Sequence, residues 1–132
     1  MGLVRPVTEY ASVAWSPYTK KDIQCVEAVQ RRAARFVCHD YSRNSSVSGM
    51  LTQLGWQNLE LRRKVKDLTM FHKIRTHVVN ISFPNDLASN PSTTRAGSRH
   101  KFQFRHYSST VNAHKYSFFP RTVPLWNALP AC

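Results

Sequence analysis

Positive charge constrains this chain more than any other feature of its sequence. Nineteen Lys and Arg residues oppose seven Asp and Glu residues, which gives a formal net charge of +12 on 132 residues. An excess of that size destabilises a compact state through self-repulsion, and a bound polyanion relieves the repulsion. Nucleic acid is the commonest such partner, an anionic membrane surface comes second, and a basic protein without a specific ligand is the plain alternative.

The segment from Lys20 to Val37 has the clearest helical pattern, because it separates apolar from basic side chains. At 100° per residue, the apolar side chains fall within an arc of about 140° and the cations within an opposite arc of about 120°. The apolar arc consists of Ile23, Val26, Val29, Ala33, Phe36 and Val37. The basic arc consists of Lys20, Lys21, Arg31, Arg32 and Arg35. The pattern predicts a helix that packs through its apolar arc and faces phosphates with its basic arc.

Capping residues mark where the helices begin. Thr19, with Asp22 three residues later, predicts the start of the helix just described. Ser45 or Ser46 is expected to cap a short helix that ends before Gly55, where a left-handed residue is favoured. Asn58 is expected to cap the next helix.

Two other helices complete the predicted fold. Leu3 to Trp15 is expected to form a short helix, and a long one is expected from Leu59 to about Val79. On the long helix, a stripe at i, i+4, i+7 and i+11 is expected to face solvent. The stripe consists of Arg62, Lys66, Thr69 and Lys73.

The last third of the sequence is less regular. Residues 80–100 are rich in Ser, Thr, Asn, Pro and Arg and predict a loop, with Leu87 as its single anchor. Residues 101–107 alternate and predict a short strand or an extended arm. Residues 116–130 contain three prolines, so they are expected to be irregular. The predicted fold class is mainly α: a small helical domain of three to four helices, a strand or arm, and an irregular Pro/aromatic-rich C-terminal tail.

The sequence lacks the patterns that catalysis, metals and cofactors require. No two of its seven carboxylates are adjacent or one residue apart, whereas two-metal polymerase and nuclease chemistry needs carboxylates that converge on cations. Asp22 is explained by capping and Glu27 by an i,i+4 pair with Arg31. The three cysteines form no CxxC pair, no histidine pair has ligand spacing, and no phosphate-binding glycine loop occurs. We therefore expect no catalytic residue, no metal and no cofactor.

Binding is the remaining chemistry, and basic residues are its candidates. Lys and Arg neutralise phosphates without reading the bases, and aromatic side chains stack on unpaired bases. The aromatic candidates are Phe102, Phe104, Tyr107 and Tyr116, and ordinary core packing is their alternative role. The predicted nucleic-acid-binding residues are Lys20, Lys21, Arg31, Arg32, Arg35, Arg62, Lys66, Lys73, Arg99, Lys101 and Arg105.

Three stretches resemble one family. Residues 3–17 read LVRPVTEYASVAWSP, residues 26–36 read VEAVQRRAARF, and residues 117–130 read SFFPRTVPLWNALP. Each resembles a segment found downstream of the polymerase core in LINE-type (non-LTR) retrotransposon reverse transcriptases. The spacing between them, which includes Leu54-Gly55-Trp56 before Leu61-Arg62-Arg63, is also similar, so the resemblance covers nearly the whole chain.

The resemblance implies a binding role within an RNA-directed DNA polymerase. The family's polymerase carboxylates and endonuclease domain precede this region, so its activity does not carry over. The resemblance implies a helical, thumb-like region at 1–79, a basic loop at 80–100, and an arm with the closing motif at 101–132. Its expected partners are template RNA or RNA–DNA hybrid and the polymerase core of a full-length transposable element, without a cofactor.

Two alternatives compete with this interpretation. One is a truncated relic or packing module with no independent activity, because Met1 falls inside the family's pattern. The other is a membrane-surface binder that uses the basic amphipathic helix, although no segment is long and apolar enough to span a membrane. The expected location is intracellular, in the cytoplasm or the nucleus, because the cysteines form no disulfide set and no signal peptide is visible.

Overall fold

The structure is a computed structural model that describes residues 4–85, 87, 103–106 and 108–130. Within these ranges the chain is mainly α-helical, which confirms the predicted fold class, and it contains no strand. The helices are α1 (Val4–Glu9), α2 (Ser12–Trp15), α3 (Lys20–Cys38), α4 (Val47–Gln53), α5 (Leu59–Arg75), α6 (Asn112–Lys115) and α7 (Phe118–Asn127). The number of described helices exceeds the predicted three to four, because the first predicted helix is split and the C-terminal part adds two more helices.

The chain packs as two compact units, Met1–Arg63 and Lys64–Cys132. In the first unit, α3 contacts both α1 and α4. In the second unit, α6 contacts α7. The three-part division predicted at residues 79 and 100 stays a prediction, since most of residues 86–102 lie outside the described ranges.

The predicted helix starts are confirmed. At the start of α3, α4 and α5, a side-chain oxygen accepts a hydrogen bond from a backbone N–H of the first turn. The donor–acceptor distances are 3.2 Å for Asp22 to Thr19, 3.3 Å for Gly49 to Ser46 and 2.7 Å for Glu60 to Asn58. Gly55 follows α4 with φ +64°, as predicted, so this tight helix end has no side chain to strain it.

The first predicted helix is broken in the middle, so the prediction of one helix from Leu3 to Trp15 is wrong. Ala11 has a left-handed backbone with φ 47°, and it separates α1 from α2. That conformation costs an alanine about 1–2 kcal/mol. Before the break, the buried Glu9 carboxylate accepts two hydrogen bonds from Arg62, whereas Tyr10 is 79% exposed.

The α5 helix ends at Arg75, four residues before the predicted end. His77 takes the left-handed conformation with φ 56°, and the amides of His77 and Val78 donate to the carbonyls of Ile74 and Lys73. These two bonds form the Schellman arrangement that usually requires glycine. The sequence places no glycine there, so the end could not be recognised.

The core of the second unit is aromatic. Fully buried Phe71 on α5 lies 5.0 Å from the ring centroid of Trp126 and 5.3 Å from that of Phe104. Leu87 is buried in the same cluster, as predicted, and Val123 completes it. Phe83, Phe118, Phe119 and Leu68 pack against it. Because Phe83 belongs to the same 80–100 segment, the prediction that Leu87 is its single anchor is wrong. This core fixes where α7 lies.

The C-terminal segment is a helix, so the prediction of an irregular tail is wrong. Pro120 is the third residue of α7, where a backbone N–H needs no helical acceptor. Pro124 lies inside the helix and leaves the carbonyl of Pro120 without its usual donor. Burial of Thr122, Val123 and Trp126 on one face outweighs that loss.

Residues 103–106 form an arm, the second of the two predicted alternatives. The side chain of Asn127 accepts from the amide of Phe104 at 3.0 Å and donates to its carbonyl at 2.8 Å. One asparagine side chain therefore bonds both backbone polar groups of Phe104 and fixes the arm to α7.

Candidate nucleic-acid interface

Polar side chains decide which face of α3 is buried. The Glu27 carboxylate accepts from the amides of Leu59 and Glu60 at 3.4 and 2.8 Å, which makes it a cap for the start of α5. Gln30 donates to the Gln57 carbonyl at 2.9 Å. Both side chains are buried beside the fully buried Ala34. The predicted ion pair between Glu27 and Arg31 is therefore wrong, since the carboxylate satisfies helix amides instead.

This anchoring turns the predicted apolar arc partly toward solvent. A face centred on Glu27, Gln30 and Ala34 is rotated by about 80° from the centre of the predicted arc. Val29, Phe36 and Val37, which were expected to be core, are exposed. Ile23, Val26 and Ala33 are half-buried at the edge.

Most cations of α3 are nevertheless exposed to solvent. Lys20, Lys21, Arg31 and Arg32 are all exposed, and we call these four residues the basic flank. None of the four has an ion pair or a side-chain hydrogen bond in the part of the chain that the structure describes. Arg35, the fifth predicted cation, is half-buried and donates to the Ser42 carbonyl at 3.1 Å. Its guanidinium is partly committed to holding the turn after α3.

Arg62 is occupied by an internal partner. Its Nε and Nη2 atoms donate to the two carboxylate oxygens of Glu9 at 2.6 and 2.9 Å. The hydrogen bond from Arg62 to Glu9 raises the pKa of the guanidinium above its ordinary value. Because the charge is already paired in two-pronged geometry, Arg62 is a poor candidate for binding phosphate.

The other predicted residues belong to the second unit. Lys73 and Arg105 are exposed, and Lys66 is half-buried and has an interaction partner. Arg99 and Lys101 lie outside the described residues. The structure therefore gathers only the basic flank on one element, and Lys73 and Arg105 are separate exposed cations.

The aromatic residues predicted to stack on bases have other roles. Phe104 packs in the core of the second unit. Tyr116 is half-buried, with the Lys115 ammonium 5.6 Å from its ring centroid. Phe102 and Tyr107 lie outside the described residues. Core packing, the alternative given for these aromatics, is confirmed for Phe104.

The carboxylates serve the fold. Beyond the pairs already described, Asp67 accepts from Arg121 at 3.0 and 3.2 Å, and Asp22 belongs to the cap of α3. Asp40 accepts from the Ser42 amide at 3.0 Å. Hydrogen bonds from Ser45 and then Ser42 hold the pKa of the Asp40 carboxyl below its ordinary value. Glu60 also has a partner, and Asp86 lies outside the described residues. No described carboxylate forms an ion pair with the basic flank.

Two exposed residues on α3 and in the turn after it were not predicted to contribute to a surface. Phe36 is 67% exposed on α3, and Arg43 is exposed in the following turn. Helical periodicity assigned Phe36 to the core because it assumes that apolar residues lie inward. The signal that could have corrected it is the pair of polar residues Glu27 and Gln30, three apart on what became the buried face.

No family model, curated protein or solved structure matches this chain. Among the described residues, no three His, Cys, Asp or Glu side chains are grouped closely enough to hold a metal ion. No helix in those ranges has the length and apolar character needed to cross a membrane.

Proposed function

We propose that this chain is a non-catalytic nucleic-acid-binding module that contacts phosphates through the basic flank of α3. The observation that carries the proposal is that four exposed cations lie within an arc of about 120° on α3, and none of them pairs with a carboxylate among the described residues. Unpaired cations on a rigid helix are suited to phosphate contacts, because binding does not break an existing ion pair.

The resemblance to the region downstream of the polymerase core in non-LTR reverse transcriptases supports the same role. Within the VEAVQRRAARF segment, Glu27 and Gln30 fasten α3 to the start of α5. Arg31 and Arg32 follow directly and are exposed. One short motif therefore combines anchoring residues with candidate contacts for template RNA or RNA–DNA hybrid. The polymerase core of a full-length element is the proposed second partner.

We assign this chain no reaction of its own. Nucleotidyl transfer needs carboxylates that converge on metal ions, and here Glu27 and Asp67 are hydrogen-bonded within the fold and largely inaccessible. A role in binding requires only the surface cations. The parent activity, RNA-directed DNA polymerisation in the cytoplasm or nucleus, would belong to upstream residues.

The test replaces Arg31 and Arg32 by glutamine together and measures RNA binding by fluorescence anisotropy across a salt series. Losing two phosphate contacts should weaken binding and reduce the slope of log affinity against log salt by about 1.4 for a single strand. The matched control, R31K/R32K, keeps both charges and should keep the slope. Equal affinity and equal slope for the glutamine variant would contradict the proposal.

A packing module is the second candidate, and exposed apolar residues on α1 and α2 favour it. Val7 and Tyr10 are 74% and 79% exposed, and Trp15 is also exposed. Side chains of this kind suit a protein neighbour. A sharp, cooperative thermal melt of the isolated chain, without binding of a hydrophobic dye, would argue against this candidate.

A further inference from the structure

The α3 helix exposes apolar side chains directly beside its basic flank. Cys25, Val29 and Phe36 lie within an arc of about 40° on the solvent side, and we call them the apolar row. Val29 is 42% and Phe36 67% exposed, and Cys25 is exposed. Arg32 lies at the edge of the row, one turn before Phe36. A ligand on the basic flank therefore also meets an apolar surface.

Phe36 is the prominent member of the apolar row. Among the described residues, its one aromatic neighbour is His39, at a centroid distance of 6.2 Å and a tilt of 43°. The loop that follows α3 also exposes Tyr41 and Arg43. An open ring among cations is the arrangement with which proteins bind unpaired bases, because every base offers a flat face for stacking.

Three other ligands fit this surface less well. A duplex keeps its base faces stacked inside the helix, so it leaves an exposed ring without a contact. A protein partner needs about 800 Å² of surface on each side, which three partly exposed side chains do not approach, and interface cores are depleted of Lys. A membrane-surface helix uses Trp, Phe and Leu over several turns, and the apolar row has one such residue.

We propose that α3 binds single-stranded nucleic acid, with phosphates along the basic flank and an unpaired base stacked on Phe36. This inference rests on the proposed function and specifies its substrate class. Because Lys20 and Lys21 lie about eleven residues from Arg31 and Arg32, the flank extends roughly 16 Å along the helix axis. A strand lying parallel to α3 contacts both ends of the flank while its bases turn toward the row.

The experiment replaces Phe36 by leucine in the full chain, which keeps an apolar side chain but removes the ring. Binding is measured to an unstructured RNA of about 15 nucleotides and to the same RNA paired with complementary DNA. F36L should lower affinity for the single strand on the order of tenfold and leave the hybrid within about twofold. The control V78A, at an exposed valine of the second unit, should change neither affinity.

The salt slope separates failure of this inference from failure of the proposed function. F36L should leave the slope unchanged, because the ring contacts no phosphate. An equal loss for both ligands, or no loss for either, would overturn the stacking role while R31Q/R32Q still tests phosphate binding. If F36L instead abolished binding to anionic vesicles and spared the single strand, the surface would belong to a membrane and the inference would be overturned.

Discussion

Glu27 illustrates how a single polar residue can determine which face of a helix is buried, contrary to the hydrophobic pattern. Its carboxylate caps a helix that begins thirty-two residues later, at Leu59. Helical periodicity places it beside Arg31, four residues on, and carries no information about so distant a partner. Apolar periodicity alone therefore placed Val29 and Phe36 in the core, although it predicted the exposed basic residues of α3 correctly.

The capping role predicts unequal effects at Glu27 and Arg31. E27A leaves the buried Leu59 amide without an acceptor and the Glu60 amide with Asn58 alone, so the free energy of unfolding should fall by about 1–3 kcal/mol. R31A should change it by less than about 0.5 kcal/mol, since an exposed side chain without a partner contributes little. Urea denaturation of the two variants measures both. Similar losses at the two positions would favour a Glu27–Arg31 pair.

Adjacent arginines on α5 should respond in opposite directions. Arg63 is 2% exposed, and its Nη1 and Nη2 atoms have no hydrogen-bond acceptor among the described residues. A buried cation without an acceptor destabilises the fold, so R63M should raise the free energy of unfolding by about 1 kcal/mol or more.

Arg62 provides the matched comparison. R62M removes two hydrogen bonds from the buried Glu9 carboxylate, so it should lower the free energy of unfolding by about 1–3 kcal/mol. Thermal melts followed by circular dichroism measure both variants. A marked loss for R63M would show that its guanidinium has an acceptor in solution.

Elements were predicted well where their signals are local. The caps at Thr19, Ser46 and Asn58, and the end of α4 at Gly55, depend on residues within one turn, and the sequence identified them. The break at Ala11 and the end at His77 place residues other than glycine in left-handed conformations. Tertiary packing imposes these conformations, so the sequence carries no local sign of them.

The α7 helix shows packing that overrides a local rule. Three prolines argued against a helix, yet burial of Val123 and Trp126 in the aromatic core requires both on one face. Only the core explains why Pro124 is tolerated, and that core draws on residues from five separate parts of the second unit. Local sequence signals therefore could not predict this helix.

The cost of Pro124 can be measured. P124A supplies an N–H to the Pro120 carbonyl on an exposed position of α7, so it should raise the free energy of unfolding by about 1–2 kcal/mol. The proline's restriction of the unfolded chain reduces the gain below the full cost of a helical proline. Guanidinium denaturation provides the measurement, and a destabilised alanine variant would mean that the ring itself packs in the native state.

Across the whole molecule, charge is the property that links fold to function. The net charge of +12 was evident from the sequence, but which cations are available was not. Arg62 and Arg121 are paired with carboxylates, whereas Lys20, Lys21, Arg31 and Arg32 are exposed and have no partner within the described ranges. Composition gives the total charge. The ion pairs in the folded structure show which cations are available to a ligand.

The salt dependence of RNA binding by the intact chain tests this account most directly. Four phosphate contacts predict a slope near −2.8 for log affinity against log salt, or roughly a 50-fold loss between about 50 and 200 mM. Anisotropy titrations with an unstructured single strand should give that value. Affinity that stays constant across this salt range, or no binding at low salt, would contradict a phosphate-binding role for α3.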